Sequence, residues 1–158
     1  MKYKHRNSFI KIASCMLLCA YLMFISWRMF FYAYGSYYRS RSILPEYNLI
    51  PFKTILNLII SCKYYKFDVW VYNFFGNIAA FMPLGILLPV VLGIKRKFAA
   101  TLAFSMVFLL SAETAQLIFR VGVFDIDDII LNIIGVLSGY MIYLLMEKHL
   151  RPLNSSAK

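Results

Sequence analysis

Little in this chain offers ready-made catalytic chemistry. Its two histidines, His5 and His149, stand near the ends of the 158-residue sequence and outside any metal-ligand spacing. No nucleophile, histidine and acid fall into a triad-like set, and no glycine-rich phosphate loop occurs. The sequence therefore predicts no catalytic residue, no metal site and no cofactor. Three cysteines are too few for a disulfide framework; Cys15 and Cys19 lie four apart in an apolar run and read as small buried side chains, while Cys62 is alone. Charge is scarce as well, at 15% of residues. The net charge of +10 would suit nucleic acid, but the basic residues cluster beside apolar runs instead of forming a stripe, so topology accounts for them and no nucleic-acid partner is expected.

What the chain has is apolar surface. Hydrophobic residues make up 61%, aromatics 18%, and the mean hydropathy is +0.68, more than a soluble domain of this length could bury. Four stretches, about 12–31, 71–92, 98–119 and 129–146, are long enough to cross roughly 30 Å of hydrocarbon. The first follows Lys2, Lys4, Arg6 and Lys11 as a signal peptide would, but it is too long for a signal core of about 7–15 residues. Aromatics flank the spans as an interfacial belt does: Trp27, Phe30, Phe31 and Tyr32 after the first, Tyr64, Tyr65, Phe67 and Trp70 before the second. Arg28 is expected to snorkel outward, and Pro83 and Pro89 to kink the second span.

Ten basic residues against Glu147 alone would share one side of the membrane, and seven basic against six acidic the other. The positive-inside rule then predicts that both termini are cytoplasmic, with a basic segment 1–11, a membrane domain 12–150 and a tail 151–158. Between the first two spans, Ile55, Leu56, Leu58, Ile59 and Ile60 form a run too short to cross, which reads either as an interfacial or re-entrant helix or as a surface helix that only packs. The expected class is all-α: a polytopic membrane protein of four transmembrane helices plus this shorter one.

Polar groups inside the greasy runs are the candidate functional residues. Glu113, Gln116 and Arg120 share a helical face, as do Asn73 and Asn77, and Asp128 and Asn132. Glu113 lies about 9 Å inside its helix end, where a carboxylate costs about 2.5–3.5 kcal/mol on insertion scales. It must face the bundle interior, a wet cavity or a partner such as Arg120. Asn77 and Asn132 suit either a pocket or interhelical hydrogen bonding. Asp125, Asp127 and Asp128 are weak evidence for a cation site, and N-capping by Asp128 is the commoner explanation. Gly135 and Gly139 form a GxxxG step that allows close helix approach.

Three blocks together resemble the VanZ family of bacterial membrane proteins: Asn48-Leu49-Ile50-Pro51-Phe52; Asn77 through Phe81 with Pro83, Leu84 and Gly85; and Glu113, Gln116, Phe124 through Asp128, Asn132, Gly135 and Gly139. The resemblance implies a polytopic inner-membrane protein linked to low-level resistance to the lipoglycopeptide teicoplanin, with no established reaction. The candidate site is then an outward-facing pocket drawn from Asn48, Pro51, Asn77, Glu113, Gln116, Asp125, Asp128 and Asn132. Expected partners are membrane lipids, a cell-wall lipid intermediate or a lipoglycopeptide, and a second copy of the chain. Two other functions stand beside an accessory role: a small lipid transporter or flippase, which would need dimerisation to enclose a path, and an intramembrane enzyme using Glu113 as general base.

Overall fold

The computed structural model describes residues 2–32, 47–60, 67–93 and 97–155. The basic residues Arg39, Arg41, Lys63, Lys66, Lys95 and Arg96, Cys62, and the aromatics Tyr64 and Tyr65 lie outside them, as do the side chains of Tyr32, Phe67 and Trp70. Helix α1 (Lys2–Trp27) runs into a π-helical turn (Arg28–Tyr32); a two-residue strand β1 (Tyr47–Asn48) precedes α2 (Lys53–Ile60). Then come α3 (Phe67–Leu92), α4 (Lys97–Phe119), strand β2 (Phe124–Asp125) and α5 (Ile126–Ser155). Among the described residues, four apolar stretches are long enough to cross a membrane: Phe9–Phe31, Asn73–Leu92, Phe98–Phe119 and Ile126–His149. The chain is an all-α polytopic membrane protein.

The last of these stretches begins at Ile126, so Asp127 and Asp128 sit in the first turn of α5. Asp125 caps that helix, its Oδ1 accepting the Asp127 N–H at 2.9 Å. The carboxylate before the first turn is the one that can reach back to an orphan N–H, so the cap is Asp125 and not Asp128.

Packing centres on α3 against α5. Gly85 on α3 lies against the Val136 carbonyl, and Gly135 and Gly139 on α5 lie against the carbonyls of Ile78 and Met82. A Cβ at any of the three would collide with backbone, so the two helices touch main chain to main chain. Leu18 and Ile25 of α1, Phe81, Leu84 and Leu88 of α3, Leu109 of α4 and Val136 of α5 fill the core around this crossing. Pro83 and Pro89 both lie within the continuous α3. The Ala80 carbonyl, next to the Ala79 carbonyl that Pro83 deprives of its helical donor, accepts the Tyr21 hydroxyl of α1 at 2.8 Å.

Elsewhere the chain faces outward with apolar side chains, among them Met16, Leu17, Met23 and Phe24 on α1 and Val107, Leu110 and Ile118 on α4. Lipid accepts such surface, whereas water would drive it together. Cys15 and Cys19 are on this exposed side of α1 and are not buried; an apolar helix in lipid has no need to hide a small thiol. Helix α2 is about 12 Å long, buries Leu58 and leaves Leu56, Ile59 and Ile60 exposed.

Candidate functional site

Two linked polar constructions occupy the end of the bundle where α4 gives way to α5. The turn between them closes α4 with a Schellman pair, Val121 N–H to the Gln116 carbonyl at 3.0 Å and Arg120 N–H to that of Leu117 at 3.3 Å. Arg120 takes the left-handed position, φ 54°, usually held by glycine, and is exposed. It therefore leaves the helical face that it would share with Glu113 and Gln116, both of which are buried.

The first construction is a latch. Strand β2 pairs in parallel with β1, setting Tyr47 beside Phe124 and Asn48 beside Asp125. Asn48 donates from Nδ2 to Asp125 Oδ1 at 3.1 Å and to Thr54 Oγ1 at 3.0 Å, while Thr54 donates its hydroxyl to Asp125 Oδ2 at 2.6 Å. Asp127, fully buried, accepts three backbone N–H groups at the start of α2: Phe52 at 2.6 Å, Thr54 at 2.7 Å and Ile55 at 3.1 Å. A carboxylate set on a helix N-terminus satisfies orphan donors and meets the positive end of the dipole, so Asp127 caps a helix more than 70 residues away in sequence. Pro51 has a different task. It is exposed and holds the second position of an Ile50–Lys53 turn, and Phe52 in the third has φ 65°, the signature of a type II turn. That turn aims the N–H groups at Asp127.

The second construction is a polar cavity of about 50 Å³ between α1, α3, α4 and α5. Arg28, Asn73, Asn77, Glu113, Gln116, Asp128 and Asn132 line it, with Ile25, Met29, Ala80 and Phe81 as its apolar wall. Asn77 donates from Nδ2 to Asp128 Oδ1 at 2.7 Å, joining α3 to α5. Gln116 donates from Nε2 to the Met29 carbonyl at 3.1 Å, fastening α4 to the π-helical turn. Glu113, 2% exposed, accepts the Asp125 N–H at a long 3.4 Å, the one link between cavity and latch among the described bonds. Asn132 is as deeply buried, and its Oδ1 has no hydrogen-bond partner among the described residues. A buried acceptor left open costs about 1–3 kcal/mol, so the cavity invites a donor.

Five of the eight sequence candidates thus divide cleanly from the other three. Asn77, Glu113, Gln116, Asp128 and Asn132 share the cavity; Asn48 and Asp125 belong to the latch and Pro51 to its turn. Among the described residues, no group of three or more His, Cys, Asp or Glu side chains is arranged to hold a metal ion.

Family comparison covers this same region. The VanZ/LLP1 family model matches residues 14–147. The chain belongs to the VanZ/LLP1 family. Protein VanZ of Enterococcus faecium is 32% identical to it over 148 residues, spanning 89% of this chain and 79% of that protein. No solved structure matches. The span common to the VanZ/LLP1 family holds every residue of the cavity and of the latch.

The site predicted from sequence left out four participants, Arg28, Thr54, Asn73 and Asp127. Arg28 lines the cavity and stands at the start of the π-helical turn. Asn73 carried a visible signal, four residues before Asn77 on one face. Asp127 carried none beyond its neighbours, since its partners are distant backbone groups.

Proposed function

We propose that this VanZ-like membrane protein is an accessory factor in cell-envelope and glycopeptide tolerance, teicoplanin in particular, and that it acts on an amphipathic ligand whose polar tip enters the cavity from the outer side. Membership of the family supports the envelope role. One observation carries the site: the unpartnered Oδ1 of buried Asn132, in a cavity shared with the Glu113 carboxylate. Intramembrane acids and open buried acceptors are costly and persist where something uses them. A volume of about 50 Å³ holds a few waters or one small functional group. The ligand is therefore gripped by a tip while its bulk lies along lipid-facing helices, as suits a cell-wall lipid intermediate or a lipoglycopeptide. The excess of basic residues at the termini and between the second and third spans supports an orientation with both termini cytoplasmic, which opens the cavity end to the outside.

The test compares wild type with Glu113→Gln in a susceptible Gram-positive host. Wild type should protect against teicoplanin more than against vancomycin, and the variant, inserted at equal level, should lose that protection. Redistribution of a lipid intermediate between leaflets without selective protection moves the assignment to a transporter, and a chemically altered lipid moves it to an enzyme.

A further inference from the structure

We propose that the cavity recognises a primary ammonium group, the cationic tip of the amphipathic ligand. The inference rests on the cavity being the ligand site of the function proposed above, and names the chemistry that it selects. Among the described lining residues, the carboxylates of Glu113 and Asp128 face a single cation, Arg28. An anionic tip such as a phosphate would meet two acids in a site of low dielectric and is disfavoured. Two of the four lining amides already donate, the Asn77 nitrogen to Asp128 and the Gln116 nitrogen to Met29. The fully buried lining atom left without a partner among the described residues is an acceptor, Oδ1 of Asn132. The missing partner is thus a donor, and beside two carboxylates it is best a charged one.

Size and shape narrow it further. A quaternary ammonium has no N–H to offer Asn132, and a guanidinium is a wide planar fork, whereas –NH₃⁺ is a compact charge with three donors that fits about 50 Å³. Depth agrees. Asp128 lies in the first turn of α5, and Asn132 and Glu113 each lie six residues from the helix ends at Ile126 and Phe119, about 9 Å by helical rise. A headgroup amine or a small free amine can reach that far from the interface.

The experiment uses the full chain in nanodiscs of phosphatidylcholine, which brings no primary amine. Binding of dodecylamine hydrochloride, dodecyltrimethylammonium bromide and dodecanol is measured at neutral pH by thermal shift and titration. Dodecylamine should bind about tenfold or more tighter than the other two, and Glu113→Gln should remove that margin. Asn132→Asp should increase it, a gain that misfolding cannot imitate. Displacement of dodecylamine by methylammonium chloride identifies a free amine as sufficient, and failure of displacement identifies an amine carried on a lipid chain; both retain the ammonium specificity. Equal binding of the three probes, or of dodecylamine to wild type and both variants, overturns the inference and points to water as the occupant. Amine selectivity in a protein that confers no teicoplanin protection sinks the proposed function alone, and protection lost in Glu113→Gln without amine selectivity sinks the inference alone.

Discussion

Asn77 on α3 donates its side-chain N–H to the carboxylate of Asp128 on α5 at 2.7 Å, across 51 residues of sequence. The bond sits at the cavity end of the helix pair whose glycines allow main-chain contact. Close approach of the backbones is what brings two short polar side chains within reach, so packing and site are one construction.

Replacing Asn77 with Leu removes a donor and leaves Asp128 with an open acceptor in a site shielded from water. The expected cost is about 1–3 kcal/mol. Asp128→Leu in the same chain should recover part of it, since two apolar groups of suitable size need no bond. Thermal melting of the wild type, both single variants and the double variant in detergent gives the coupling. Strict additivity would show that the bond contributes nothing.

Asp127→Ala should release the N-terminus of α2 without unfolding the bundle. Three backbone donors lose their acceptor, and a lost cap costs about 0.5–2 kcal/mol. Asp127→Asn should fare little better, because both carboxylate oxygens accept and an amide would turn N–H toward N–H on one side. Hydrogen exchange is the readout: protection should fall across 53–60 and stay unchanged in α3 and α5. Uniform loss of protection would mean that Asp127 holds the whole fold.

At Gly135 and Gly139 even one added carbon meets backbone, the carbonyls of Ile78 and Met82. Gly135→Ala and Gly139→Ala should each lower the melting temperature, and Leu at either position should reduce assembled protein sharply, with activity falling alongside. Normal assembly of the Leu variants would place those faces toward lipid.

The proposed orientation is read by cysteine labelling in a background lacking Cys15, Cys19 and Cys62. Cysteine at the exposed Ile50 should react with an impermeant reagent in intact cells, and cysteine at the exposed Lys148 only after permeabilisation. The reverse pattern would invert the protein and close the cavity to external ligands.

The apolar runs alone determined the class and the four membrane-length stretches, because hydrocarbon demands length and internally satisfied backbone, and both are local properties of a sequence. The isolated acid Glu113 and the helical spacing of Gln116, Asn77 and Asn132 were legible for the same reason: polarity stands out against an apolar background. Only tertiary structure decided what the three neighbouring acids do. Asp125 caps its own helix, Asp127 caps one more than 70 residues back, and Asp128 lines the cavity. Their side chains differ in no chemistry. They differ in which distant partner the α3–α5 crossing, the β1–β2 pairing and the turn before α2 carry to each, and those contacts are not written at any one position of the chain.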